Sequence, residues 1–268
     1  MRAPPSRPWA DVPAAAVRSV IGVLTDIDDT LTTAGAITPD ALAALAQLKA
    51  AGLHVIAITG RPLGWSEPFA RAWPIDAIVA ENGAVALFRD GDGDLVIDYA
   101  QDAPTRARHA TRLRAAAARV LREVPGSMLA RDSAGRVTDI AIDHGEFARL
   151  SAPQIDAVVG VMRAEGMNAT VSSIHINGWF GAHTKLSGAR WMVQRLLGRA
   201  LDATQWVYVG DSTNDQLMFA HCPLSVGVAN LLDFADVLTT WPTYVTRGER
   251  GAGFAEVADR LVGTIGRP

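Results

Sequence analysis

Between residues 20 and 87, short apolar runs alternate with stretches of helical period. "VIGVLT" is a β-branched run of the kind that forms a strand buried on both faces. "TPDALAALAQLKAAG" then spaces its apolar positions as one face of a helix. Thr38 is placed to cap it, Pro39 takes the first helical position and Gly52 lies past its end. The strand "LHVIAIT", a loop and short helix through "GRPLGWSEPFARAW", and the strand "AIVA" follow in turn. "GAVALFRDGDGDLVIDYA" predicts a hairpin turning at "DGDGD". Strand, helix and strand joined by short loops imply right-handed crossovers and a parallel sheet.

The rhythm changes from about residue 101. An Arg- and Ala-rich helix, "PTRARHATRLRAAAARVLREV", precedes the strands "SMLAR" and "RVTDIAID". A second helix, "APQIDAVVGVMRAEG", precedes the strands "MNATVSS" and "IHING". Helix-strand-strand, twice, predicts a separate α+β module. The stripe of Leu113, Ala117, Val120 and Val124 makes the basic helix a solvated face over a buried one, not a nucleic-acid surface. Alternation resumes near residue 184 with the helix "TKLSGARWMVQRLLG", the strand "QWVYVG", a helix start in "STNDQLMFAH", the strand "LSVGV" and the closing helix "GAGFAEVADRLVGTI". The pattern predicts an α/β fold: a doubly wound, Rossmann-like parallel core over 19–100 and 182–268, interrupted by a module over 101–181. Residues 1–18, with four prolines, read as a flexible lead-in rather than a targeting segment.

Composition narrows the class. The 268 residues are 49% hydrophobic with a net charge of −3, enough to bury a core and without the basic excess of a nucleic-acid binder. No run approaches a membrane span, and a single cysteine, Cys222, excludes an internal disulfide framework and fits a reducing cytoplasm. The six histidines lack metal-type spacing such as HExxH. Of the 25 basic residues only Lys49 and Lys185 are lysines, which singles out Lys185 in its chemically loaded surroundings.

Ligands of an open α/β sheet bind beyond the carboxyl ends of its strands. The predicted strand ends carry Asp26-Ile27-Asp28, Thr59-Gly60-Arg61, Glu81-Asn82-Gly83 and Gly210-Asp211-Ser212-Thr213-Asn214-Asp215. Acidic groups from two strands, a hydroxyl from a third and glycine-rich turns suit a divalent cation and a phosphate. Asp26 and Asp28, two apart on an extended segment, are expected to lean to one side. With Asp211 they offer the hard oxygens that Mg²⁺ prefers. One aspartate could then attack phosphorus while the other protonates the leaving oxygen. Lys185 falls in the first turn of its helix, where a cation opposes the dipole unless an anion faces it. Thr59 and the Gly60 amide could donate to further phosphate oxygens.

Taken together, "DIDDTLT", "ITGRP", "ENGA", the lysine of "TKLSGA" and "GDSTNDQLMF" resemble the four motifs of the haloacid dehalogenase superfamily of phosphohydrolases. Their order resembles the Cof-type, sugar-phosphate phosphatase branch, whose large α/β cap lies between the second and third motifs. The likeness covers about residues 20–260. It implies that Asp26 is the nucleophile and Asp28 the acid/base. It further implies a Mg²⁺ ion held by Asp26, Asp211 and the Asp28 backbone carbonyl, a phosphate held by Thr59 and Lys185, and a supporting role for Asn214 and Asp215. The branch commonly has Gly where this chain has Asp29, read here as a turn residue. Superfamily members that cleave carbon–halogen bonds lack the second aspartate, so the presence of Asp28 favours phosphate esters.

The expected substrate is therefore a small phosphate ester, a sugar or polyol phosphate, contacted by a cap that closes over the site. Ser173, His175 and Asn177 would share one face of a strand, to bind hydroxyls or to face solvent. Arg61 and Asn82 are further substrate candidates, Arg131 and Arg136 read as exposed turn residues, and Trp65 and Trp179 could stack on a sugar or simply pack. The alternatives are a phosphomutase or phosphotransferase on the same fold, a phospho-accepting receiver domain, and a catalytically silent binding protein.

Overall fold

The computed structural model describes residues 6–265. In chain order its elements are β1 (Arg7–Pro8), α1 (Ala14–Arg18), β2 (Gly22–Thr25), a small hairpin of β3 (Thr32–Thr33) and β4 (Ala36–Ile37), α2 (Pro39–Ala50), β5 (His54–Ile58), α3 (Leu63–Ala72), β6 (Ala77–Ala80), β7 (Val85–Arg89) and β8 (Leu95–Tyr99). There follow α4 (Ala103–Glu123), β9 (Met128–Leu129), β10 (Asp139–Asp143), α5 (Ala152–Ala164), β11 (Asn168–Val171) and β12 (His175–Trp179). The chain closes with α6 (Lys185–Leu197), β13 (Trp206–Gly210), α7 (Gln216–His221), β14 (Leu224–Gly227), β15 (Tyr244–Val245) and α8 (Arg250–Ile265).

Nine strands form the main sheet in the order β1-β15-β14-β13-β2-β5-β6-β7-β8. The pairs from β1 through β6 are parallel, and the predicted hairpin adds β7 and β8 antiparallel at one edge. Alternation along the central strands explains why both faces are covered. Val23, Val55, Ala57, Val207 and Val209 pack with residues of α1, α2 and α8. The intervening Leu24, Ile56, Ile58 and Tyr208 pack with α6 and α7. A strand that is apolar on both faces can exist only inside such a layered arrangement.

The four-stranded sheet β11-β12-β10-β9 is antiparallel, with α4 and α5 over one face. Leu113, Ala117, Val120 and Val124 close its core against Ile140, Ile142 and Ile176, as the stripe predicts. The other face carries Asp139 and Asp143 of β10 beside Trp179 and His175 of β12, all buried. That face packs on the main domain.

The lead-in is a correction. Residues 1–5 lie outside the described part, but the segment from residue 6 is folded rather than flexible. β1 pairs with β15, and Trp9 is buried with its ring edge-on to Tyr244, 5.5 Å between centroids. Val12 and Val17 are buried in the same core as α8. Pro8 is accommodated because β1 is an edge strand, where a missing N–H breaks no ladder bond.

Candidate active site

β2, β5, β6 and β13 are neighbours, so the four strand ends converge on one edge. β2 stops at Thr25, and the Asp26 amide donates to the Val209 carbonyl before the chain turns. Three amides, those of Thr30, Leu31 and Thr32, fold back on the Ile27 carbonyl. Because the strand ends before the pair, Asp26 and Asp28 do not share a strand face but take different partners. Asp26 is buried and accepts from Lys185 Nζ at 2.6 Å, whereas Asp28 is gripped by the Arg61 guanidinium at 2.9–3.0 Å. Asp29 is the turn residue: its φ is +53°, its carboxylate pairs with Arg250 at 3.0 Å and its carbonyl accepts from Asn230.

Lys185 opens α6 behind a capping box in which Thr184 and Ser187 satisfy each other's amides. Its side chain is 3% exposed and reaches Asp26 at 2.6 Å and Asp215 at 2.7 Å. These carboxylates, not only an incoming anion, offset the unfavourable placement of a cation in the first turn. Burial would lower the ammonium's pKa, but Asp215 and Asp26 outweigh it and raise it above the usual lysine range. Gly83 lets the "ENG" loop meet this helix: its φ is +109°, and a Cβ there would collide with the Thr184 carbonyl.

Behind β13, Asp215 is fully used. It accepts from Lys185, from the Tyr208 hydroxyl, and from the amides of Asp211 and Ser212 at 2.9 and 3.1 Å. Gly210 makes room, since a Cβ would strike the Asp215 side chain. Asp211 is the opposite case: it is 1% exposed and neither carboxylate oxygen has a partner among the described residues. Asp26, Asp211 and Asp215 each offer a carboxylate oxygen within 4.8 Å of the others. Burial, then the Asp26 and Asp215 charges, push the Asp211 carboxyl well above its usual range. Burial pushes Asp26 up to about 7, against the opposing pull of Lys185. Three buried carboxylates around one ammonium, one of them without a donor, are a donor set that fits a hard cation. The Asp28 carboxylate is not among them. Asn214, half-buried, accepts from the Ser212 hydroxyl at the rim.

Thr59 is buried at the end of β5, with its hydroxyl oxygen accepting from the Arg61 amide. The Gly60 carbonyl accepts from Arg136 at 2.9 Å and from Asn177 at 3.2 Å. Arg61, 5% exposed, bridges Asp28 to the Asp132 and Glu146 carboxylates of the inserted module. His175 reaches Glu146 at 3.0 Å, and Asn177 reaches Asp139 at 2.9 Å. Burial would raise the Glu146 carboxyl, but His175 and Arg61 hold it down to about 2.

The predicted hydroxyl-binding face of the insert therefore does not look onto solvent. His175 and Asn177 are buried in contacts that dock the module on the core, and Ser173 lies in a bend before the strand begins. Arg136 is no exposed turn residue either: its side chain is 2% exposed, between Asp132 and Asp139. Arg131 is exposed and lies over the Phe147 ring. Trp65 packs on Phe69, and Trp179 donates to the His183 carbonyl.

In the sequence Glu81 is marked only by its place at a strand end. The structure makes it the deepest link between the two units: fully buried, it accepts from the amides of Leu63, Val137 and Thr138 at 3.1, 3.1 and 2.6 Å. Burial first, and Asp139 second, push its carboxyl up to about 7, against the bonds from Thr138 and Leu63. The folded protein thus holds a proton there between about 4.5 and 7, where the unfolded chain has released it, and this contribution to stability falls as pH rises through that window. Glu81→Gln cannot titrate. The gap in urea midpoint between wild type and variant should therefore shift in the variant's favour from pH 5 to pH 8, and a gap independent of pH would contradict the assignment.

Residues 23–109 match the family model of haloacid dehalogenase-like hydrolases. No curated protein matches the chain. Among solved structures, a Thermoplasma acidophilum protein aligns with a TM-score of 0.69 at 16% identity, over 90% of this chain and 98% of that one. The sucrose-phosphatase of Synechocystis, solved with sucrose and phosphate, aligns at 0.64 and 15% identity, over 91% and 98%. The C-terminal domain of Candida albicans trehalose-6-phosphate phosphatase aligns at 0.67 and 14% identity, over 98% and 99%. Residues 23–109, which carry three of the four converging strand ends of this interrupted, mostly parallel sheet, thus resemble the haloacid dehalogenase-like hydrolases.

Proposed function

We propose that this protein is a Mg²⁺-dependent phosphatase of a small phosphorylated metabolite, a sugar or polyol phosphate, working through an aspartyl-phosphate. The observation that carries the reading is the buried Asp26, Asp211 and Asp215 cluster around Lys185, with the Asp211 carboxylate unpartnered. Mg²⁺ held by Asp26, Asp211 and the Asp28 carbonyl would supply charge neutralisation at the transferring phosphoryl group. An Asp26 carboxylate oxygen attacks phosphorus, the bond to the ester oxygen breaks, and Asp28 gives that oxygen its proton. Water then attacks the aspartyl-phosphate, surrenders a proton to Asp28 and releases phosphate with Asp26 restored. Lys185, Thr59 and the Gly60 amide bind the phosphoryl oxygens, and positioning of this kind supplies most of the catalysis in phosphoryl transfer. Arg61 holds the Asp28 carboxylate and joins it to the cap. The sugar-phosphate reading draws support from two structural relatives described as sucrose and trehalose-6-phosphate phosphatases.

The test is phosphate release from a panel of sugar phosphates and p-nitrophenyl phosphate, with Mg²⁺ or with EDTA. Release should require Mg²⁺ and disappear in EDTA. No release from any substrate, or release untouched by EDTA, overturns the reading.

A further inference from the structure

A cavity of about 280 Å³ lies between the inserted module and the core, bounded by Asn82, Lys185 and Asn214 on one side and by Arg163, Thr170 and Trp179 on the other. It touches the phosphate-binding end of the site: Lys185 is shared, and the Asn82 amide lies 3.4 Å from where a Cβ on Gly60 would sit. Two features set it apart from the rest of the cleft. First, it is lined by polar atoms without partners. Asn82 is 2% exposed, and among the described residues its Nδ2 has no acceptor and the buried Thr170 Oγ1 no partner. Buried donors in that condition are uncommon in folded proteins and are retained where something other than the chain completes them. Second, no carboxylate among the described residues lines this cavity, whereas the Arg61 side of the cleft is crowded by Asp28, Asp132 and Glu146. Its charged lining residues are Lys185 and Arg163, and Arg163 forms no ion pair among the described residues. A cation in the last turn of α5 is favoured by the helix dipole, which accounts for its presence but not for its place over an acid-free cavity.

We infer that this cavity receives the leaving group, that Asn82 and Thr170 bind its hydroxyls, and that Arg163 selects a leaving group bearing a second anion. The inference deepens the phosphatase reading and rests on it. The ligand class is a polyhydroxylated phosphate ester with a carboxylate or a further phosphate at its far end. Trp179, Met167 and Leu217 supply an apolar wall against its carbon skeleton. The polar face of β12, by contrast, is occupied by docking contacts through Glu146, Asp139 and the Gly60 carbonyl.

Three probes on one hexose skeleton test it: glucose 6-phosphate, 6-phosphogluconate and glucose 1,6-bisphosphate, each with wild type, Arg163→Gln and Thr170→Val. Arg163 is exposed, so its replacement leaves the fold intact. Wild type should favour one or both anionic probes by about tenfold or more in kcat/KM, the scale of one charge-assisted bond. The carboxylate and bisphosphate arms identify which anion is read. Arg163→Gln should erase that preference through KM, with glucose 6-phosphate changed less than about twofold. Thr170→Val should weaken all three hexose esters and spare p-nitrophenyl phosphate. A wild type that hydrolyses p-nitrophenyl phosphate yet shows no anionic preference overturns the inference alone, as does an Arg163→Gln that lowers all probes equally. A wild type that releases phosphate from nothing removes the phosphatase reading as well.

Discussion

Asp26→Asn should lower Mg²⁺-dependent phosphate release by on the order of 10³-fold or more, with no folding defect to account for it. An amide has nearly the shape of the carboxylate but cannot form an acyl phosphate. The fold should tolerate the exchange because Lys185 keeps Asp215 at 2.7 Å. It also removes a carboxylate that burial already disfavours, as its pKa of about 7 expresses. Far-UV dichroism and the urea midpoint should thus stay near wild type while turnover collapses. Wild type quenched in acid during turnover should carry phosphate on Asp26, and the variant none. Undiminished turnover in the variant would remove Asp26 from the role of nucleophile, and with it the aspartyl-phosphate.

The main domain was legible in the chain because its strands are buried on both faces. Such strands announce themselves as unbroken apolar runs, and the residues that follow each run mark a site wherever neighbouring strands are parallel. Asp26, Thr59 and Asp211 are located in that way, and the sheet order β13-β2-β5 brings their strands together, whereas Lys185 stands out as one of only two lysines, in the first turn of a helix. Periodicity says nothing, however, about which way a side chain turns once a strand has ended. It placed Asp26 and Asp28 on one side, whereas the turn after Thr25 gives one to Lys185 and the other to Arg61. The docking network was out of reach for another reason. Arg61 meets Asp132 and Glu146 from 71 and 85 residues away, and no local pattern distinguishes a polar strand face turned to solvent from one turned to another unit. The same limit explains the lead-in. A proline-rich composition reads as unpacked chain, but Trp9, Val12 and Val17 find their partners at the far end of the sequence, in β15 and α8.

Lys185→Met should be the most destabilising single change in the site, by about 3–5 kcal/mol, the usual range for removing one partner of a buried ion pair. Methionine fills much the same volume, so packing is spared and the effect isolates the charge. The lysine's 3% exposure leaves water no way to replace it beside Asp26 and Asp215. Asp215 retains the Tyr208 hydroxyl and two amides, but Asp26 loses its ammonium partner and Asp211 has no partner from the outset. The three carboxylates would then face one another with no cation among them. Mg²⁺ should therefore recover part of the lost stability in the variant, and raise its urea midpoint more than it raises that of wild type, because the ion supplies charge that the wild type already has in part. Turnover should not recover with it, since a cation on the carboxylates does not restore the ammonium to the phosphoryl oxygens. Equal midpoints for variant and wild type without Mg²⁺ would show that Lys185 does not neutralise the cluster. Equal responses to Mg²⁺ would show that the cluster does not hold the ion.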